Sequence, residues 1–378
     1  MKLTASILIF VSCIVSGCGG SNPQYVSNDQ IIKPPPTTAG IVSINGTRNN
    51  FNVRRTQENI LVFDKNNQVP PYELGTPSLL FFNDAHINLN ISTQAQKLNT
   101  AQIQNLIELY IAFFNRVPDG DGLGYWMTQL SSGRSIELIV DDFYDAGIQA
   151  STYTGYSKEM SNADFIKIIY KNVLGRTGPT EPTLSEINYW ANEVQSGKQT
   201  KSNVIISMLN SARTFAHAPQ YAWVTHLLDN KIAVGRYFAI QQGLSYASME
   251  ENISRGMIIL NAVSANDTSE AIKLIGVDDP NFDAGITAPE VPQNVYAVAK
   301  NSSIIFSFDP PTNNGGGEIT AYLLTCTDES SSLAVSGIRS PIIIPNLQIG
   351  KAYTCFMKSS NRYGASINST PKSIVVEI

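Results

Sequence analysis

The chain has 378 residues, 43% of them hydrophobic, and carries a net charge of −5. That hydrophobic share is enough for well-packed cores, and the length that remains after a leader is removed points to two or three domains. The charge is spread without long runs or a basic stripe, which makes nucleic acid a poor partner.

Behind Lys2, residues 5–15 (ASILIFVSCIV) form an apolar run followed by the small residues Ser16 and Gly17. The run is about half of the ~20 residues that a membrane-spanning helix needs, so it reads as the signal peptide of an exported protein, residues 1–17. Val15-Ser16-Gly17-Cys18 resembles the lipobox of bacterial lipoproteins. The resemblance implies cleavage before Cys18, lipidation of Cys18, and a membrane partner reached through that anchor. Several acyl chains make such anchoring stable where one alone is marginal. Gly19 at the next position implies, by family analogy, outer-membrane or cell-surface delivery. The competing expectation is an ordinary secretory signal with an incidental cysteine. Residues 18–39 are poor in large apolar side chains and contain Pro34-Pro35-Pro36, as expected of a disordered, extended tether.

Residues 40–92 alternate short apolar runs (IVSI, FNVRR, ILVFD, SLLFFN, HINLN) with turn-forming stretches, the punctuation of a small β segment. Residues 93–276 read as helical. Ile103, Leu106, Ile107, Tyr110, Phe113 and Phe114 fall on one helical face, with Thr100 placed as the N-cap. Ser161 with Asp164, and Thr183 with Glu186, have capping-box spacing, and Gly197 offers a stop after the second of these helices.

This helical region contains an internal repeat. Tyr110-x5-Arg116 matches Tyr170-x5-Arg176, and Tyr125-Trp126-x6-Gly133 matches Tyr189-Trp190-x6-Gly197, with a four-residue insertion in the second copy. The stretches LYIAFFNRVPDGDGLGYWMTQLSSG and IYKNVLGRTGPTEPTLSEINYWANEVQSG resemble the DUF4214 family, helical repeats of bacterial secreted and surface proteins. The second copy departs from the family pattern by lacking the Pro-Asp-x-x-Gly-Leu piece after Arg176. The segment at 229–240 is similar to the helix that follows these repeats, and residues 78–90 to the strand that precedes them. The resemblance implies no enzymatic activity and no particular ligand.

From 286 to 378 the pattern is β again, with strands at regular spacing. Pro289 and Pro292, Phe308-Asp309-Pro310-Pro311, a glycine-rich turn at 315–317 before Ile319-x-x-Tyr322, Leu347-x-x-Gly350-x-x-Tyr353 and Asn361-x-x-Gly364 resemble a fibronectin type III domain. The expected fold class is therefore multidomain: an α-helical repeat domain with a small N-terminal β segment, plus an all-β, fibronectin-type immunoglobulin-like sandwich. Alternation puts Tyr322, Leu324 and Cys326 on one face and Tyr353, Cys355 and Met357 on another. The resemblance makes those strands inward-facing neighbours, so a Cys326–Cys355 disulfide is expected, two buried thiols being the alternative.

Candidate chemistry is sparse. His86, His217 and His226 sit in no HExxH or zinc spacing and read as structural polar residues. No GxSxG elbow is present, and Gly120, Gly122 and Gly124 do not make a GxGxxG loop. Asp119 and Asp121 could contribute to a Ca²⁺ loop, but Leu130 stands where an EF-hand needs glutamate, and capping of the next helix by Asp119 competes. Adjacent acids at 141–142, 250–251 and 278–279 are expected on solvated faces. Tyr125, Trp126, Tyr189 and Trp190 could stack on sugars, with helix–helix packing as the alternative. Arg116 and Arg176 close their helices and are expected to bond backbone carbonyls or a loop carboxylate. The combined expectation is a lipid-anchored envelope protein with no cofactor and no metal that works by touching a protein or glycan partner. Glycan adhesion is the first alternative and an enzyme of unrecognised type the second.

Overall fold

A computed structural model describes residues 40–376, apart from 56–58, 215–220, 278, 280–281, 287, 329–330 and 363. The expected signal peptide, Cys18 and tether, together with His217 and Asp278, lie outside the described residues. The described chain builds two packed units, one from 40 to about 284 and one from about 290 onward.

The first unit begins with β1 (Ile41–Ser43), β2 (Phe51–Arg55), β3 (Ile60–Asp64), β4 (Tyr72–Glu73), β5 (Leu79–Phe81) and β6 (Ala85–Asn88). Strands β2, β3 and β4 form a small antiparallel sheet. Strand β5 pairs in parallel with β1 and antiparallel with β6. A further strand, β7 (Leu244–Tyr246), pairs with β6, so a stretch expected to be helical supplies the fourth strand of this sheet. All three β7 residues are buried, and burial on both faces removes the alternation that would mark a strand in sequence.

The helices are α1 (Ile91–Ala95), α2 (Thr100–Phe114), α3 (Gly120–Ser131), α4 (Ile136–Gln149), α5 (Ser151–Thr154), α6 (Asn162–Leu174), α7 (Leu184–Gln195), α8 (Lys201–Thr214), α9 (Ala222–Arg236), α10 (Met249–Asn261) and α11 (Ser269–Ile275). Helix α2 is capped by Asn99, one residue before the expected Thr100, in a capping box with Gln102. Ser161 caps α6, Thr183 and Glu186 cap α7 reciprocally, and Asp119 caps α3. The stripe on α2 is buried at Ile103, Leu106, Ile107, Tyr110 and Phe113. It meets Phe143 and Tyr156 in an aromatic cluster. One hydrophobic cluster runs from Val42 through the helices to Ala284, so the β segment and the helices share a core.

The second unit is a two-sheet sandwich. Strands β8 (Gln293–Lys300), β9 (Ser303–Asp309) and β12 (Ile342–Ile344) form one sheet in the order β12-β9-β8. Strands β10 (Ala321–Thr327), β11 (Ser332–Gly337), β13 (Ala352–Asn361), β14 (Gly364–Ala365) and β15 (Lys372–Val375) form the other, with β13 between β10 and the last two. This three-plus-five arrangement is the fibronectin-type sandwich expected from the motifs. Ile304, Phe306 and Phe308 face Tyr322, Leu324 and Cys326 across the core, and Phe308 rests on Tyr322 with ring centroids 4.6 Å apart. Cys326 stands opposite Cys355 in the β10–β13 register, and the two are disulfide-bonded.

Candidate functional site

The repeat pattern emerges from cap chemistry. Asn115 (φ 47°) and Gly175 (φ 62°) end α2 and α6 in the left-handed region, which asparagine and glycine tolerate best. Each turn is then closed by the following arginine: Arg116 N–H donates to the Tyr110 carbonyl and Arg176 N–H to the Tyr170 carbonyl. The guanidinium folds back over the tyrosine of its own copy, 4.7 Å from the Tyr110 ring centroid and 5.2 Å from that of Tyr170. The tryptophan of the same copy, Trp126 or Trp190, lies beside each hydroxyl, and burial raises the pKa of both tyrosines. After α3 and α7, Gly133 and Gly197 take positive φ and donate to Leu130 and Val194, equivalent carbonyls.

The copies differ where the sequence does. Arg116 bonds the Val117 carbonyl and the N-cap carboxylate of Asp119 at 3.0 Å. Arg176 bonds the Thr180 carbonyl and, through two nitrogens, the carboxylate of Glu186. The four-residue insertion displaces the N-cap of α7, and a longer acid one turn inside the helix restores the ion pair. Arg176 and the Thr183 cap hold the Glu186 carboxyl at about 2, well below the ordinary range. Because the folded pKa is depressed, this pair stabilises the fold above pH 4.5 and the stabilisation is lost as pH falls toward 2. Glu186 is about a third exposed, so solvent screening reduces the contribution to about 1–2 kcal/mol. Acid unfolding of Arg176→Met should therefore lack the part of the wild-type pH dependence between 4.5 and 2; an unchanged slope would show that the pair is silent.

Within each aromatic pair the two rings part company. Trp126 and Trp190 are half-buried against the core, Trp126 with its ring 5.0 Å from Phe143. Tyr125 and Tyr189 are 53% and 61% exposed and stand edge-on to their tryptophans at 4.9 and 5.0 Å. The tryptophans thus join helices while the tyrosines form matching surface features.

The two aspartates considered for calcium have separate partners. Asp119 caps α3 and pairs with Arg116, while Asp121 pairs with His86 at 2.5 Å. His86 is stacked on Phe81, and His226 is exposed. No group of three or more His, Cys, Asp or Glu capable of holding a metal occurs among the described residues.

The acid pair at 278–279 corrects an expectation. Asp279 is not on a solvated face but 3% exposed, accepting the Val53 N–H at 2.6 Å and lying 3.6 Å from the Arg48 guanidinium. No local pattern announces a partner 226 residues away. Arg48 itself is 1% exposed, donates to the Phe51 carbonyl at 2.7 Å, and lies over the Phe82 and Phe282 rings.

The two units meet at a cleft of about 840 Å³, within the range of ligand-binding clefts and in a common location for them. Gln96, Arg236 and Asp283 line one side, Thr312 and Asn313 the other. Across it the Asn313 amide donates to Gln96 at 2.9 Å, and Arg362 binds Asp283 at 2.7 Å. Burial raises the Asp283 pKa, opposed by the Gly285 N–H and by Arg362 and Arg236.

A family model described as "Domain of unknown function (DUF4214)" matches residues 149–217, the span that holds the second copy from α5 to α8. Among solved structures, the chain is similar to titin kinase and its flanking domains (20% identity, 24% of this chain, 17% of that one, TM-score 0.22). It is also similar to the twitchin kinase region from C. elegans (22%, 24%, 17%, TM-score 0.23) and to the chicken CNTN1 FN1-FN3 domains (18%, 26%, 35%, TM-score 0.23). The chain spans about a third or less of the length of these proteins, and strand order and register, rather than these scores, carry the sandwich assignment.

Proposed function

We propose that this chain is an exported, non-catalytic interaction module, held at the bacterial envelope by lipid on Cys18 and serving display or assembly there. The observation that carries the reading is the coupling of the two units. A repeat domain with a duplicated tyrosine surface is held against a sandwich through Asn313–Gln96 and Arg362–Asp283, an arrangement suited to presenting two surfaces in one orientation to a partner. The order signal, acylated cysteine, tether and paired modules supports the same role. Fractionation of cells expressing the full chain tests the anchor. Wild type should sediment with membranes and carry acyl chains on Cys18 by mass spectrometry, and Cys18→Ala should be released. An unmodified mature terminus at Cys18 would end this reading.

A second reading, glycan adhesion, is favoured by the exposure of Tyr125 and Tyr189 at equivalent repeat positions. Binding of a glycan array that disappears in Tyr125→Ala with Tyr189→Ala would establish it; identical binding by that variant would remove these residues from consideration.

A further inference from the structure

A cavity of about 260 Å³ lies where the N-terminal β segment, β7, α10 and the end of α11 converge. Its walls include Thr47, Arg48, Asn49, Asp84, Tyr246 and Arg255. Two of these are more than nine-tenths buried with polar atoms left over. Arg48 is 1% exposed, and its Nε and Nη2 have no hydrogen-bond partner among the described residues; Nη2 has only the Asp279 carboxylate at 3.6 Å, an ion-pair distance. Tyr246 is 4% exposed and its hydroxyl also has no hydrogen-bond partner there. A donor buried without an acceptor costs about 1–3 kcal/mol, so leftover donors on two wall residues, Arg48 and Tyr246, point to an occupant that brings oxygen.

The charges around the cavity decide what kind of oxygen. Arg48, Arg255 and Asp84 line the cavity, and Asp279, outside the lining, neutralises Arg48 from 3.6 Å. With Arg48 matched by Asp279 and Arg255 balanced by Asp84 in the lining, the site does not call for an anion. It calls for a group that can accept from guanidinium and phenol while donating to a carboxylate. Asp84 can receive that donation, since one of its oxygens accepts the Arg48 backbone N–H at 2.8 Å and the other has no hydrogen-bond donor among the described residues. Arg255 lies 3.7 Å over the Tyr246 ring, which orders its guanidinium at the cavity. An alcohol both donates and accepts, and a ring bearing several alcohols matches this mixed lining.

We propose that this cavity binds one unit of a neutral saccharide, its hydroxyls accepting from Tyr246, Arg48 and Arg255 and donating to Asp84. The inference gives the saccharide reading a site of its own, independent of Tyr125 and Tyr189 and of the anchor.

The full chain in detergent, titrated with glucose, galactose, mannose and N-acetylglucosamine under saturation-transfer NMR, tests it. At least one sugar should bind saturably. Tyr246→Phe, which removes one oxygen, should weaken binding several-fold, and Arg255→Met, which keeps the apolar stem over the ring, about tenfold or more, as expected for lost hydrogen bonds to a buried hydroxyl. Unchanged melting curves would confirm that both variants fold. Saturable binding of acetate or sulfate without any sugar would overturn the proposal in favour of an anion site. Absence of any saturable response would reduce the cavity to a water site, and binding that survives both variants would place the sugar elsewhere.

Discussion

Asp279→Ala should destabilise the helical unit by about 3–5 kcal/mol in denaturant unfolding, the range for removing one partner of a buried ion pair. The substitution leaves the Arg48 guanidinium, which cannot shed its charge, enclosed between Phe82 and Phe282 with its carboxylate gone. It also orphans the Val53 N–H. Burial already pulls the Arg48 pKa down, and Asp279 is the main group opposing that. Adding Arg48→Met to Asp279→Ala should recover part of the loss, because two uncharged side chains carry no desolvation penalty. The Val53 N–H would remain unpaired, so recovery should be incomplete. A single variant within about 1 kcal/mol of wild type would show that Asp279 does not clamp Arg48 and β2 in place.

Loss of the Cys326–Cys355 bond should cost the sandwich roughly 3–4 kcal/mol, from the loop entropy of a closure spanning 29 residues. For a domain of this size that corresponds to a drop on the order of 15–25 °C in its melting temperature. The two units have separate cores, so calorimetry of the reduced protein should show the sandwich transition move while that of the helical unit stays. Both sulfurs are buried, and the protein should be reduced while unfolded and then refolded under reducing conditions. Coincident melting of oxidised and reduced protein would show that the bond adds nothing to stability.

Features encoded over one or two turns were legible in the sequence. The stripe on α2, the caps at Ser161, Thr183 and Asp119, and the repeat itself rest on contacts between residues three to ten apart. Spacing alone could therefore place Arg116 and Arg176 at helix ends, bonding carbonyls and a nearby carboxylate, although for Arg176 that carboxylate is Glu186 inside α7 rather than one in the loop. The cap of α2 slipped by one residue, since Asn99 and Thr100 can both cap and only the Gln102 partnership chooses between them. The β sandwich was legible for a similar reason: alternation along each strand set the inward faces of Cys326 and Cys355, and family motifs set their adjacency.

The sequence by itself determined most of the helices and strands and the duplication, because each is carried by periodicity, local capping or a motif in fixed order, and the fibronectin resemblance implied the pairing of the two cysteines. Only the tertiary structure decided that Leu244–Tyr246 completes the N-terminal sheet and that Asp279 leaves solvent to meet Arg48. It alone joined Arg362 to Asp283, and it alone gathered Arg48, Asp84, Tyr246 and Arg255 around one cavity. Those four residues come from positions up to 207 apart in the chain, and contacts at such separation are selected by shared burial and charge balance in the packed state, which leave no period or spacing behind.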